Sequence, residues 1–240
     1  MSPIRQNDAD ATDASVERHA PALRAGTWFR DLPAGMQTRM LGTARSRRLE
    51  VGQRLFARGD RSDGLYCVLE GAMRLTGTQS GGQEALFAVL APVQWFGELA
   101  LIDGGARSLD AWADEPTLLL HVPQAPMLAI LRELPLGWPA IGSLLARRTR
   151  HAFDAIEESA SLPAIGRIAR RLLVIANGYG DHEHTQRTVR VPQERLAQML
   201  ALSRQTVNRA LKQLEAQGAI RLTRGGTELV DLERLRDIAQ

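Results

Sequence analysis

The chain has 240 residues, comfortable for two domains, and its 44% hydrophobic and 24% charged residues are ordinary for a globular protein with a real core. No apolar run reaches membrane-spanning length and no charged-apolar-cleavage pattern opens the chain, so a cytoplasmic protein with no membrane partner is expected. The single cysteine, Cys67, excludes an internal disulfide and a cysteine-ligated metal or cluster, and it sits in a strand-like run as a small buried residue. Charge is uneven. Residues 1–160 hold 17 Arg against 19 acidic residues, whereas residues 161–240 hold 13 Lys and Arg against 8. The basic last third suits a polyanion such as nucleic acid.

In chain order, residues 1–25 are rich in Asp, Ala, Ser and Arg without an apolar period, which predicts a mobile tail. "TWFRDLPAGMQTRMLGTARSRRL" reads as a short helix pair. From about Arg48, short apolar runs alternate with turn signals at Gly52, Gly59–Asp60, Asp63–Gly64, Gly71 and Gly81–Gly82. That pattern predicts an antiparallel barrel or sandwich. "PTLLLHVP" closes it, and the chain turns helical after it.

Residues 135–161 have a helical period. Ile141, Leu145, Arg148, Ala152, Ala155 and Ser159 follow a heptad-like spacing, which predicts a long helix packed either on its own barrel or, as length and spacing favour, along a homodimer seam. Pro163 breaks it, and "AIGRIARRLLVIANGYG" is a further amphipathic helix. His182 and His184 in "GDHEHTQR" read as solvated loop residues, and no metal site is expected.

"QERLAQMLALSRQTVNRALKQLEAQGAIRL" reads as helix, turn, helix. Leu196, Ala197 and Leu200 face inward on the first helix. Ser203 caps the second, Val207, Ala210, Leu211 and Leu214 form its buried stripe, and Gly218 ends it. The opposite stripe carries Arg204, Gln205, Asn208, Arg209 and Lys212. Such long polar donors suit a major groove, where Arg forks onto guanine and Gln or Asn onto adenine. The Ser203 and Thr206 hydroxyls suit phosphate oxygens. "AIRLTRGGTELVDL" follows as two short strands, a wing.

Two motifs together resemble the Crp/Fnr family of bacterial transcription regulators, over roughly residues 28–225: "FGELALIDGGARS", similar to its phosphate-binding cassette, and "LSRQTVNRALKQLEAQGAI", similar to its recognition helix and turn. "GRIARRL" at Gly166–Leu172 resembles the start of its DNA-binding domain. The resemblance implies an α+β fold: a tail (1–25), an N-terminal antiparallel β-barrel or jelly roll that binds a cyclic nucleotide (26–134), a long dimerisation helix (135–161) and a C-terminal winged helix-turn-helix (162–240). It implies that Arg107 pairs with the ligand phosphate, Glu98 accepts from a ribose hydroxyl, Gly97 lets the backbone approach, Ser108 adds a donor, and the segment from Leu99 offers backbone N–H groups. The partners it implies are double-stranded DNA, a second copy and RNA polymerase.

Some residues depart from the pattern. The hydroxyl pair that meets adenine in the cyclic AMP receptors is replaced by Ala152 and Phe153. That leaves room for another cyclic mononucleotide or for cyclic di-GMP, with Phe153 stacking on a base. Gln205 stands where an acidic residue is common, and Ala201 where the turn often has Gly. The alternatives are a regulator with a vestigial pocket that needs no ligand, and a regulatory module of another protein. No P-loop, zinc histidine motif or nucleophile elbow is present, so no catalytic residue is expected.

Overall fold

The computed structural model describes residues 9–78, 84–180, 185–224 and 226–240. His182, His184 and the Gly81–Gly82 turn lie outside the described residues, as does Gly225 of the wing turn. The chain forms two compact units. One comprises residues up to Gly77 with Val89–Ala146, the other Thr78–Ala88 with Arg147–Gln240.

The described residues begin with helices α1 (Ala9–Ala25), α2 (Thr27–Arg30) and α3 (Ala34–Thr43). The tail predicted for residues 1–25 is therefore corrected: from Ala9 onward it is helix. Its apolar residues are sparse, but Val16 and Leu23 are buried in the core, and His19 Nε2 donates to Glu70 Oε1 at 3.1 Å. Tertiary contact supplies what local periodicity lacks.

Strands β1 (Arg45–Leu49), β2 (Arg54–Phe56), β3 (Gly64–Glu70), β4 (Met73–Thr78), β5 (Glu84–Leu90) and β6 (Trp95–Phe96) follow, then a short helix α4 (Glu98–Asp103), strands β7 (Asp110–Ala113) and β8 (Thr117–Pro123), and helix α5 (Gln124–Glu133). They make two four-stranded sheets, ordered β1-β8-β3-β6 and β2-β7-β4-β5. The β1–β8, β3–β8, β3–β6, β2–β7 and β4–β7 pairs are antiparallel. The expected barrel or jelly roll is thus two sheets that do not close into one ring. Alternation along strands sorts the side chains: Leu65, Cys67 and Leu69 of β3 and Leu118, Leu120 and Val122 of β8 share a core with Trp28, Phe29, Met36, Met40, Trp95, Met127 and Leu131. Cys67 is fully buried there.

The long helix α6 spans Gly137–Ser161. Ile141, placed by spacing on an intermolecular seam, is instead fully buried in the N-terminal unit's own core. Trp28 Nε1–H donates to the Ala140 carbonyl at 2.7 Å, tying α2 to the start of α6. Farther along, Phe153 and Ile156 stand 66% and 67% exposed.

After Pro163 come α7 (Ala164–Ala176), a 3-10 turn (Gly178–Gly180), β9 (Thr188–Val189), α8 (Gln193–Leu200), α9 (Arg204–Ala216), β10 (Ile220–Thr223), β11 (Gly226–Leu229) and α10 (Leu232–Ile238). The strands form a three-stranded antiparallel sheet ordered β10-β11-β9. Ile168, Leu172, Leu196, Val207, Leu211, Leu214, Ile220 and Leu235 fill the second core. At the junction of α6 and α7, buried Glu158 accepts from Arg170 Nε at 2.9 Å. Among the described residues no helix is long and apolar enough to cross a membrane.

Candidate functional site

The stretch from Trp95 to Ser108 leaves β6, turns at Gly97 and starts α4. Gly97 has φ 97° and ψ 8°, a left-handed conformation that favours glycine. A Cβ there would lie 2.6 Å from Arg107 Nη1 and 3.0 Å from the Gly64 carbonyl oxygen, so the space also demands glycine. The turn buries Glu98 completely, at the first position of α4. Gly97, at the N-cap of that helix, has no side chain with which to cap it.

The arm carrying Arg107 is held by a short antiparallel ladder. Arg107 N donates to the Asp60 carbonyl and Gly59 N donates to the Arg107 carbonyl, both at 2.8 Å, and Ala106 bridges Arg61. This ladder sends the Arg107 side chain inward, where the residue is only 4% exposed. Its Nη1 donates to the Gly97 carbonyl at 3.0 Å, and its Nη2 to the Gly64 carbonyl at 2.8 Å and to Asp63 Oδ1 at 2.6 Å. The guanidinium carbon lies 4.3 Å from the Phe56 ring centroid and 5.7 Å from that of Tyr66, which suits a cation on an aromatic face. Nε–H is buried and has no partner.

Asp63 joins this cation to an aromatic cluster. Its second carboxylate oxygen accepts from the Tyr66 hydroxyl. The Tyr66 ring stacks on His121 at 4.4 Å, and His121 Nε2–H donates to the Asp63 carbonyl at 3.0 Å. Burial alone would raise the Asp63 pKa, but hydrogen bonds from Tyr66 and Arg107 and the Arg107 charge outweigh it and hold the carboxyl below its ordinary range. Burial, then the bond to Asp63, push the Tyr66 hydroxyl up. Burial depresses the His121 imidazole against the opposing pull of Asp63.

In the C-terminal unit Ser203 caps α9: its Oγ accepts from Thr206 N at 3.0 Å and lies 2.8 Å from the Thr206 hydroxyl. Val207, Ala210, Leu211 and Leu214 are buried. Arg204, Gln205, Arg209 and Lys212 are exposed along the opposite face. The turn before the cap places Ala201 at φ 51°, ψ 42°, left-handed although it carries a Cβ. Arg167 reaches from α7 to the Leu200 carbonyl, and Gly218 takes φ 74° after α9.

The predicted residues are distributed as follows. Arg107 meets Gly97 through the bond from its Nη1 to the Gly97 carbonyl, and Glu98, next in the chain, is fully buried. Leu99, 38% exposed, and exposed Ser108 lie on the same stretch with their side chains at the surface. Phe153 belongs to the other unit. Of the polar face on α9, Asn208 differs from its neighbours: it is half-buried, and its Nδ2 donates to Gln193 Oε1 at 3.1 Å. Sequence reasoning missed Phe56, Asp63, Tyr66, His121 and Gln193. Asp63 was visible only as a turn signal ahead of Gly64. Among the described residues no cluster of His, Cys, Asp and Glu could hold a metal ion.

Residues 46–133 match the family model of the cyclic nucleotide-binding domain, and residues 166–238 that of the Crp-like helix-turn-helix domain. The Cyclic AMP receptor protein of Thermus thermophilus is 36% identical over 189 residues, covering 78% of this chain and 85% of the relative. The CRP-like cAMP-activated global transcriptional regulator of Mycobacterium tuberculosis is 29% identical over 186 residues, covering 77% and 83%. The structure of FixK2 from Bradyrhizobium japonicum shares the fold, with a TM-score of 0.72 over 82% of this chain and 98% of that one, at 20% identity.

Proposed function

Because the chain belongs to the Crp/Fnr family of transcription regulators, we propose that it works in the cytoplasm as a homodimeric DNA-binding regulator gated by a cyclic nucleotide held at Gly97, Glu98 and Arg107. The observation that supports this most is the unpartnered, buried Arg107 Nε–H, on the same short stretch as the left-handed Gly97 and the buried Glu98. A phosphate oxygen meeting Nε gains a charge-assisted hydrogen bond. Glu98 accepts from a ribose hydroxyl, and the backbone from Leu99 and the Ser108 hydroxyl add donors.

In the C-terminal unit, Arg204, Gln205 and Arg209 read base edges, while Ser203, Thr206 and Lys212 meet phosphates. Two copies joined along α6, with Ile156 and its exposed neighbours on the seam, present two such helices to half-sites about one helical turn, ~34 Å, apart. RNA polymerase is the partner through which bound protein acts on transcription.

A specific observation favours a second reading. The Asp63 carboxylate already occupies Arg107 Nη2, as a phosphate would, so the charge of Arg107 is balanced without an effector. Calorimetry against cyclic AMP, cyclic GMP and cyclic di-GMP separates the two readings. The first expects one of them to bind, and Arg107→Ala to lose both that binding and its effect on DNA affinity. Binding of none, with unchanged DNA binding by Arg107→Ala, establishes the second.

A further inference from the structure

We propose that Asn208 is a positioning residue: although it sits on the DNA-facing stripe, it pins α9 to the start of α8 through Gln193 and does not read a base. This inference rests on the DNA-reading role of α9.

Three observations on α8 and α9 carry it. Asn208 is half-buried between exposed Gln205 and Arg209, so its amide is turned toward the first helix rather than outward. Its Nδ2–H donates to Gln193 Oε1 at 3.1 Å, across 15 residues of sequence. Gln193 is the first residue of α8, and the Leu200 carbonyl at the other end of α8 is held by Arg167. The eight-residue helix, about 12 Å long at 1.5 Å per residue, is therefore fastened at both ends, once to α7 and once to α9.

The turn between them needs such fastening. Ala201 adopts a left-handed conformation that glycine would take without strain, and no side-chain bond caps the start of α8. An amide that spends a donor on Gln193 has less to offer adenine, whose bidentate recognition needs both the nitrogen and the oxygen of the amide. Base discrimination then falls to Arg204, Gln205 and Arg209, and Asn208 sets the angle at which those three enter the groove.

The test is a double-mutant cycle on the full chain. A half-site is first selected from a random-sequence duplex pool, with and without cyclic AMP and cyclic di-GMP. Binding to it and to random duplex is then measured for the wild type, Asn208→Ala, Gln193→Ala and the double variant. A hydrogen bond of ordinary net strength predicts that each single change lowers the ratio of specific to random binding by about two- to tenfold. The double variant should be no worse than the singles, with the loss spread over the whole half-site. Gln193→Glu keeps an oxygen for the Asn208 amide and should retain a ratio above that of Gln193→Ala; it also serves if Asn208→Ala unfolds. Losses that multiply, no change in either single variant, or a preference relaxed at one base pair by Asn208→Ala alone would overturn the proposal. If the wild type selects no sequence at all, it is the DNA-reading role itself that fails.

Discussion

Asp63 and Arg107, 44 residues apart in sequence, meet at 2.6 Å, and their contact puts a carboxylate of the chain on the cation expected to receive a phosphate. The pair is unequal: the Arg107 side chain is 2% exposed and that of Asp63 is 47% exposed. The acid is thus the solvent-facing partner and the arginine the buried one. Asp63→Asn should tighten binding of an anionic nucleotide several-fold, on the order of 1 kcal/mol for a partly solvated pair. Titration calorimetry of the two proteins against the same nucleotide measures it.

Acid should weaken the N-terminal unit in two stages. His121 has a folded pKa below its ordinary 6.5, so between the two values the unfolded chain binds more protons. Its contribution is complete above 6.5 and declines as pH falls toward the lowered value. Asp63 has a folded pKa below 3.8; its contribution is present above 3.8 and is lost only as pH falls further through the lowered value. Thermal melts across this range should show both declines. His121→Gln should remove the first, and Asp63→Asn the second.

The exposed face of α6 offers a separate test. Ile156 is 67% exposed on a helix whose opposite face is packed. An isolated apolar side chain gains nothing from water, and against a second copy it is removed from it. Ile156→Glu should shift sedimentation toward the monomer and cut affinity for a two-half-site duplex more than for a single half-site, while leaving the melting of each unit little changed.

Ala201→Gly should stabilise the C-terminal unit by about 0.5–1 kcal/mol, because relief of the left-handed alanine at φ 51° exceeds glycine's extra chain entropy. Denaturant unfolding followed by a probe in that unit checks it. Base preference should not change, since Ala201 is exposed in the turn and lies outside α9.

What could be read from the sequence was local. Gly97, Glu98 and Arg107 lie within one short stretch, and the meeting of Arg107 with Gly97 needs only a turn and a returning arm. The Ser203 cap, the Val207–Leu214 stripe and Gly218 are spaced by helix geometry itself, and the structure has them where that spacing put them. Contacts between distant segments were hidden. Asp63 reaches Arg107 because β3 and the arm from α4 are neighbours in space, which no short window contains. Helix α1 looked too polar to fold, and is helical because Val16 and Leu23 find a core made elsewhere. Ile141 shows a limit of periodicity: heptad spacing marks an apolar face but not whether its partner is the same chain or another copy.

Trp95 stands two residues before Gly97, with its ring centroid 5.1 Å from that of Trp28 and stacked 5.4 Å from Phe29. Indoles so close exchange excitation, and both are buried among apolar neighbours. The protein thus carries an optical gauge beside the Gly97–Arg107 stretch: any rearrangement of β6 would alter the emission of this pair, with no label attached.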